Sequence, residues 1–149
     1  MYRIINAEEK DLSEILELQY LSFKSEAEMI GSCEIPALKQ TYEGIAEDFH
    51  NGVILKMLNE KDAVIGSVRA FDMGDYVEIA RLMVHPAYRR KGLATLMLKE
   101  IEKHYPGRRL ELYTCTRSLC NIALYESVGY KKYKTVCGDS GLEFVYLEK

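Results

Sequence analysis

A run of residues that could bind an anion lies in the middle of the chain, at residues 83–94. Its sequence is Met-Val-His-Pro-Ala-Tyr-Arg-Arg-Lys-Gly-Leu-Ala, which reads as a strand end, a basic turn and the start of a helix. The first turn of a helix has backbone N–H groups without intrahelical partners and the positive end of the helix dipole. Gly92 lets the backbone approach a phosphate closely, and Arg89, Arg90 and Lys91 add positive charge. The segment therefore predicts a phosphate-binding site.

Two familiar kinds of phosphate-binding loop do not match this segment. The sequence contains neither G-x-x-x-x-G-K-[ST] nor G-x-G-x-x-G. This disfavours an ATPase and a dinucleotide-binding enzyme. A solvated charged turn is the alternative interpretation of the Arg-Arg-Lys tripeptide, and its position between a strand and a helix weakens that alternative.

The cysteines and histidines are not spaced like metal ligands. No two cysteines form a C-x-x-C pair, and each histidine stands alone. These residues are Cys33, Cys115, Cys120 and Cys137, and His50, His85 and His104. We predict no bound metal and reduced thiols. A catalytic cysteine is the minor alternative, because no His or Asn is marked out as its partner.

Length and composition predict one compact domain over residues 1–149. The net charge is -3 and the pI is about 5.7, which disfavours a general nucleic-acid binder. No apolar run approaches the ~20 residues that cross a bilayer. The first residues carry neither a long apolar region nor a cleavage signal. We therefore predict a cytoplasmic protein without a membrane or nucleic-acid partner.

The elements that position the phosphate-binding segment alternate between strands and helices. The predicted strands cover residues 1–6, 53–58, 63–71, 76–84, 109–115, 130–136 and 142–148. The predicted helices cover residues 11–23, 38–49, 93–105 and 118–128. Residues 25–36 predict a loop or a broken helical turn, because this stretch combines acidic residues, a glycine and a proline.

These elements predict a mixed α/β fold. Short polar turns join the strands between residues 53 and 84, which favours an antiparallel meander. The strand, helix and strand over residues 76–115 favour a right-handed crossover with parallel strands. The strands over residues 63–70 and 76–84 are apolar on both sides, so helices should cover both faces of the sheet.

Two motifs resemble those of the GCN5-related N-acetyltransferases. Arg89-x-x-Gly92-x-Ala94 matches the pattern [RQ]-x-x-G-x-[GA], with which that family binds pyrophosphate. Residues 121–130 read Asn-Ile-Ala-Leu-Tyr-Glu-Ser-Val-Gly-Tyr and look like its second motif. The order of elements agrees with the family along the whole chain. The resemblance implies an acetyl-CoA-dependent N-acetyltransferase with the acyl-CoA N-acyltransferase fold, a mostly antiparallel sheet whose parallel central strands splay apart.

The resemblance also implies which residues bind the donor, acetyl-CoA. The backbone near Leu82–Val84 would pair with the pantetheine arm like an added strand, and the amides of residues 90–95 would bind the pyrophosphate. Asn121 would hydrogen-bond the pantetheine or the acyl region, and Ala123 would keep its helix close. The implied donor-binding residues are Leu82, Met83, Val84, Arg89, Arg90, Lys91, Gly92, Leu93, Ala94, Thr95, Asn121, Ala123 and Tyr125.

Tyr125 is the residue to which the resemblance gives a catalytic role. In the family, a tyrosine at this position commonly protonates the departing coenzyme A thiolate, and a phenol can donate such a proton. Asn121 and Tyr125 are four residues apart, so they would share one face of a helix. A core tyrosine with a satisfied hydroxyl is the alternative interpretation.

Glu78 is the candidate general base. A protonated amine must lose a proton before it attacks a thioester, and a carboxylate can accept that proton directly or through water. Strand alternation predicts that Glu78 shares a face with Leu82 and Val84. An ion pair with Arg69, or simple exposure, is the alternative. Deprotonation through ordered water and backbone would require no single base.

The sequence names no acceptor beyond an amine that attacks directly in a ternary complex. Several acidic residues lie in loops that would surround the acceptor, which weakly favours a cationic amine. They are Glu26, Glu28, Glu34, Asp72 and Asp75. A longer acyl donor, a hydroxyl acceptor, and a non-catalytic acyl-CoA-binding sensor or interaction module remain alternatives. Residues 142–147 could form a sheet edge between subunits, so we predict a monomer or a homodimer.

Overall fold

The computed structural model describes residues 1–31, 35–138 and 141–149. The predictions that concern Cys33 and Glu34 lie outside the described residues. The described strands are β1 Arg3–Asn6, β2 Val53–Leu58, β3 Val64–Asp72, β4 Val77–Val84, β5 Leu110–Cys115, β6 Lys131–Cys137 and β7 Glu143–Glu148. The described α-helices are α1 Leu12–Ile30, α2 Pro36–Lys39, α3 Tyr42–Asn51, α4 Leu93–Glu102 and α5 Leu119–Val128, with 3-10 turns at Glu9–Asp11 and Pro86–Tyr88.

The seven described strands form one mixed sheet in the order β1-β2-β3-β4-β5-β7-β6. The β4–β5 pair is parallel and the other neighbouring pairs are antiparallel. The predicted fold class is thereby confirmed. β7 inserts between β5 and β6, because the closing hairpin folds back so that its second strand pairs with β5. β6 therefore forms one edge of the sheet, and the prediction that residues 142–147 could form an edge is wrong, because β7 is paired on both sides.

Helices cover both faces of the sheet, as the two-sided apolar strands predict. Leu93, Met97 and Ile101 recur every four residues and bury one side of α4 in a core that α5 shares. On the opposite face, α1 and α3 bury apolar residues such as Leu12 and Ile45. No helix among the described residues combines the length and apolar character needed to span a membrane.

The first helix is longer than the sequence pattern predicted. The loop predicted over residues 25–36 is wrong for its first half, because α1 continues to Ile30 and ends at Gly31 in the left-handed region (φ +76). Ala27 and Ile30 are buried beside α2 and β5, whereas Glu28 is exposed. Glu28 therefore lies on the solvent side of an amphipathic helix, and an acidic stretch of this kind resembles a loop when only composition is considered.

The predicted second helix is two helices. Pro36 begins α2, and α3 begins after Thr41, whose hydroxyl accepts a hydrogen bond from the Gly44 N–H at 3.2 Å. An N-cap of this kind starts a new helix because it satisfies an amide that has no intrahelical partner. Through Ala37, α2 packs with Ala27 and Ile30 of α1 and with Cys115 at the end of β5.

Candidate functional site

The central parallel strands separate after two residue pairs. Val77 pairs with Leu110 and Glu78 with Glu111, and no further pair joins β4 to β5 among the described residues. The remainder of β4, from Ile79 to Val84, therefore presents unpaired backbone groups towards the gap. A cleft that is partly open to solvent lies where the strands diverge. This is the splayed pair that the resemblance implied.

The cleft has walls from four regions of the chain. One wall is the β4 segment Ile79–Leu82, and another is the end of β5 with Tyr113, Thr114 and Cys115. α1 and α2 close it on one side, and α5 closes it on the other. The residues from these helices and from β7 that line it are Phe23, Glu26, Ile30, Ile35, Pro36, Ala37, Asn121, Tyr125 and Phe144.

A β-bulge interrupts β4 beside the cleft. Ser67 of β3 faces Met83 and Arg69 faces Ala80, so β4 has two residues where β3 has one. Arg81 takes up the extra length in the left-handed region, with φ +53. Such a backbone conformation costs a non-glycine residue of the order of 1 kcal/mol.

The bulge corrects one sequence prediction. Val77 and Ile79 lie in the core under α4 and α5, so Glu78 between them faces the opposite side of the sheet. Leu82 and Val84 pack into that same α4 and α5 core. The prediction that Glu78 shares a face with Leu82 and Val84 is therefore wrong, because alternation is broken by the bulge at Arg81.

The basic turn is held in place by its own side chains. His85 caps the 3-10 turn Pro86–Tyr88, where its Nδ1 accepts a hydrogen bond from the Ala87 N–H at 3.0 Å. The Tyr88 hydroxyl accepts a hydrogen bond from the Asn59 side chain at 3.0 Å. Arg90 (φ +63) and Gly92 (φ +74) then turn the chain sharply into α4. The helix start is thus fixed in position at the end of β4.

The backbone amides of residues 90–95 have free N–H groups within the described structure. None of them donates a hydrogen bond to a described residue, and Gly92 provides no side-chain cap. A Cβ on Gly92 would meet nothing within 4 Å, so the approach to these amides is open. Arg90 and Lys91 are exposed beside them. The arrangement is suited to binding an anion.

The sequence predicted that the Arg89 side chain adds positive charge at the basic turn. In the structure its guanidinium is hydrogen-bonded to α1. It donates hydrogen bonds to the Ser25 hydroxyl at 2.8 Å and to the Ser22 carbonyl at 3.2 Å. Both acceptors belong to α1. Arg89 therefore fixes the turn to α1, and its side chain already has its partners.

The other residues implied to bind the donor lie along one path from β4 to α4. Met83, Val84 and Leu93 are buried, whereas Leu82, Ala94 and Thr95 are half-buried. Their side chains serve mainly as packing, so any contact with a ligand would come from the backbone. On α5, Ala123 is exposed, and Asn121 and Tyr125 both line the cleft, as their four-residue spacing predicts.

Asn121 is held by Glu26, which the sequence analysis placed in a loop around the acceptor and did not connect to Asn121. Its Nδ2 donates to the Glu26 carboxylate at 2.6 Å and to the Thr114 hydroxyl at 3.4 Å. The Ser118 hydroxyl donates to the same Glu26 oxygen at 3.0 Å. Burial raises the pKa of Glu26, although these two hydrogen bonds and Arg89 oppose that shift. Glu26 lies 95 residues from Asn121 in the chain, so no local motif could reveal the contact.

Tyr125 combines burial with a free hydroxyl. The side chain is 7% exposed, and its hydroxyl has no hydrogen-bond partner among the described residues. Burial raises its pKa well above the ordinary value, and the nearby Glu26 carboxylate raises it further. The phenol therefore remains protonated at neutral pH, and its O–H is available to a hydrogen-bond acceptor in the cleft.

Glu78 is half-buried on the side of β4 opposite the α4 and α5 core. Burial raises its pKa, and the Glu111 carboxylate adds to the shift. Arg69 is not its partner, because the Arg69 guanidinium pairs with Asp48 at 2.9 Å. The alternative that Glu78 forms an ion pair with Arg69 is therefore wrong. Glu78 does not itself line the cleft, and the next two residues of the strand, Ile79 and Ala80, do.

Comparison with known proteins identifies the family. The model of the acetyltransferase (GNAT) family matches residues 10–130. The chain therefore belongs to the GNAT acetyltransferase family. The curated protein UPF0157 protein YqkA of Bacillus subtilis is 31% identical over 130 residues, which cover 87% of this chain and 37% of that protein. The chain thus spans a little more than a third of this relative.

Solved structures show the same fold at low identity. PaiA N-acetyltransferase from Thermoplasma acidophilum, in complex with coenzyme A, has a TM-score of 0.80 at 17% identity, over 100% of this chain and 99% of that one. The ribosomal-protein-S18-alanine N-acetyltransferase from Escherichia coli has a TM-score of 0.78 at 17% identity, over 99% and 92%. An acetyltransferase of the GNAT family from Streptococcus agalactiae reaches 0.82 at 15% identity, over 99% and 94%.

Proposed function

We propose that residues 1–149 form an N-acetyltransferase domain that takes an acetyl group from acetyl-CoA and transfers it to a primary amine. Family membership and the presence of coenzyme A in the Thermoplasma acidophilum structure support acetyl-CoA as the donor. The amine would attack directly while both substrates are bound. The proposal predicts no metal requirement.

The observation that carries this proposal is the line of unpartnered backbone groups that runs from β4 to α4. The edge of β4 beyond Glu78 can pair with an extended amide-bearing chain as though with another strand. The amides of residues 90–95 continue that line and favour a pyrophosphate. These two features fit the pantetheine and the pyrophosphate of one acyl-CoA molecule.

The side chains around the cleft fit the proton movements of acetyl transfer. Acetyl-CoA supplies an activated acetyl thioester. The amine nitrogen would form the new C–N bond as the C–S bond breaks. Glu78 would accept the proton that the amine loses, through water, and Tyr125 would donate a proton to the leaving sulfur. Backbone N–H groups of Leu82–Val84 would polarise the thioester carbonyl.

Calorimetric titration with acetyl-CoA tests the donor site most directly. Gly92→Glu places a carboxylate at the start of α4, and we expect it to weaken binding about 100-fold or more. Gly107→Glu is a matched control, because Gly107 has the same φ of +74 and equally open surroundings. Both variants carry the same backbone strain, and only Gly92 lies among the free amides. Equal binding by both variants would contradict the donor site.

Turnover is the second half of the test. Release of coenzyme A from acetyl-CoA in the presence of primary amines would support the transferase. Binding without release from any amine would instead support the non-catalytic acyl-CoA-binding module.

A further inference from the structure

Arg81 presents an unpaired cation to the cleft. Arg81 is half-buried and is among the residues that line the cleft. Its Nε, like that of Arg69, is buried without a hydrogen-bond partner. No hydrogen bond or ion pair joins its guanidinium to a residue within the described ranges. A buried charge without a partner is costly, because it loses hydration and gains nothing in exchange. An anion in the cleft would supply the partner that the buried part of this guanidinium lacks.

The neighbouring Arg69 shows how the fold treats a cation that it pairs internally. Arg69 is 0% exposed, and its guanidinium donates to Asp48 and Gln40 at 2.9 and 2.8 Å and also to Gln19. Burial lowers the pKa of Arg69 to about 10, the Asp48 charge opposes that shift, and the charge of Arg81 adds to it. The fold therefore places Arg81 near Arg69, and no carboxylate of the described residues is bonded to Arg81.

Glu78 does not neutralise Arg81. The two residues lie three positions apart on the same strand, and the Arg81 charge lowers the pKa of Glu78. Burial and Glu111 nevertheless raise that pKa above its ordinary value, whereas a closely paired carboxylate would have a lowered one. Glu78 therefore remains available to a positive group, and Arg81 remains available to a negative one.

The backbone strain points in the same direction. Glycine would adopt φ +53 without strain, yet this position carries a long cationic side chain. Arg81 shares the lining of the cleft with apolar residues of α1 and α2, including Ile30 and Ala37, and poor solvation beside such residues strengthens an ion pair. Nε and one terminal nitrogen of a guanidinium form a fork that matches the two oxygens of a carboxylate.

We infer that Arg81 binds a carboxylate group of the acceptor, so the acceptor is an amine that also carries a carboxylate, as amino acids do. This inference rests on the proposed acetyl transfer. Glu78 and Arg81, on one strand, then offer opposite charges to the two ends of a zwitterion. The negative charge of Glu78 would attract the single ammonium group of such a zwitterion. An acidic site of this kind does not require an acceptor with several positive charges.

Matched pairs of ligands test the inference. The probes are the common L-amino acids and their carboxamides, which differ only in the carboxylate charge. Thermal stabilisation of the coenzyme A-bound protein measures their binding without turnover. In the wild type we expect at least one amino acid to bind about tenfold or more tightly than its amide. Arg81→Met should remove this preference, and Arg81→Lys should retain part of it. Arg3→Met, at an exposed residue of β1, should retain all of it.

Several outcomes would overturn the inference. An equal response to acids and amides in the wild type would do so, as would an acid preference that survives in Arg81→Met. A loss of acetyl-CoA affinity in Arg81→Met would assign Arg81 to the donor instead. Coenzyme A release measured in parallel separates the two proposals. Binding that prefers the amino acids, without release of coenzyme A, would support the carboxylate site and contradict acetyl transfer. Efficient release of coenzyme A with amines that lack a carboxylate would support acetyl transfer and contradict the carboxylate site.

Discussion

The two ends of the cleft are built from different parts of the polypeptide. We call the unpaired edge of β4 and the amides of residues 90–95 the donor end. We call Arg81 and the cleft wall from α1, together with Glu78 beside the cleft, the acceptor end, because we propose that the amine binds there. The donor end consists of backbone groups in adjacent segments of chain. The acceptor end consists of side chains from β4 and from α1, which is far from β4 in the sequence.

This difference determines what mutation can change. Backbone amides remain in place when neighbouring side chains vary, so the donor end should tolerate most substitutions except at Gly92. Each side chain at the acceptor end has its own chemistry, and a single replacement there can alter the reaction or the ligand. The same cleft can therefore keep one donor while its acceptor changes.

The largest effect that would sharpen this comparison concerns Tyr125, which lies between the two ends. We expect Tyr125→Phe to lower kcat about 100-fold, because the leaving sulfur loses its proton donor. Its hydroxyl has no partner among the described residues, so the free energy of unfolding should change by less than about 0.5 kcal/mol. Steady-state kinetics and denaturant unfolding measure the two effects.

Tyr130→Phe is the control for the loss of a buried phenol. The Tyr130 ring lies 6.3 Å from that of Tyr125, and its hydroxyl donates to Glu102 at 2.7 Å. This variant should lose about 1 kcal/mol of stability and keep its kcat. If Tyr125→Phe kept its kcat as well, Tyr125 would be a packing residue.

The donor end could be predicted from sequence because its signal is local. Gly92 and the residues before it form one continuous segment, and the Asn121–Tyr125 spacing places both residues on one helix face. The alternation of strands and helices similarly predicts the mixed sheet, since each element shows its own periodicity.

The acceptor end could not be predicted in the same way. Glu26 meets Asn121 only because α1 packs across the sheet, and its sequence context resembled a loop. The bulge at Arg81 involves one extra residue and leaves no clear pattern, yet it reverses the face of every later side chain on β4. Tertiary packing and a one-residue register shift thus defined the part that sequence reasoning missed.

A smaller effect is expected at Glu78. We expect Glu78→Gln to lower kcat/KM about tenfold at neutral pH, because the amine loses its proton acceptor. Burial and Glu111 raise the pKa of Glu78 from 4.5, so the acidic limb of the wild-type pH profile should lie above the ordinary carboxyl range. The variant should lack that limb. A pH–rate profile that is identical in both proteins would exclude Glu78 as the base.

The same shift predicts a stability change of definite sign. A folded-state pKa above the unfolded value means that the folded protein disfavours the ionised form, so this stability contribution is lost as pH rises through the folded pKa. Glu78→Gln should therefore raise the melting temperature at neutral pH. The gain should disappear below about pH 4, where the wild-type carboxyl is protonated in both states.

Arg89 and Arg90 test the claim that the donor end depends on backbone. Arg89→Met removes hydrogen bonds to α1 and should cost about 1 kcal/mol of stability. Acetyl-CoA affinity should change by less than about threefold, since that guanidinium is already bound. Arg90→Met, at an exposed residue, should leave stability unchanged and weaken binding about fivefold. The reverse pattern would mean that Arg89 leaves α1 to bind the donor.

The smallest expected effect separates backbone strain from charge at the acceptor end. Arg81→Gly and Arg81→Met both remove the unpaired cation, and only the glycine variant also relieves the left-handed φ of +53. The relief, of the order of 1 kcal/mol, is partly offset by the greater flexibility of glycine in the unfolded chain. We therefore expect Arg81→Gly to be about 0.5 kcal/mol more stable than Arg81→Met in denaturant unfolding. Both should lose the preference for a carboxylate-bearing acceptor. A glycine variant less stable than the methionine variant would show that the bulge is supported by packing of the side chain, and that the strain at Arg81 is not maintained for binding.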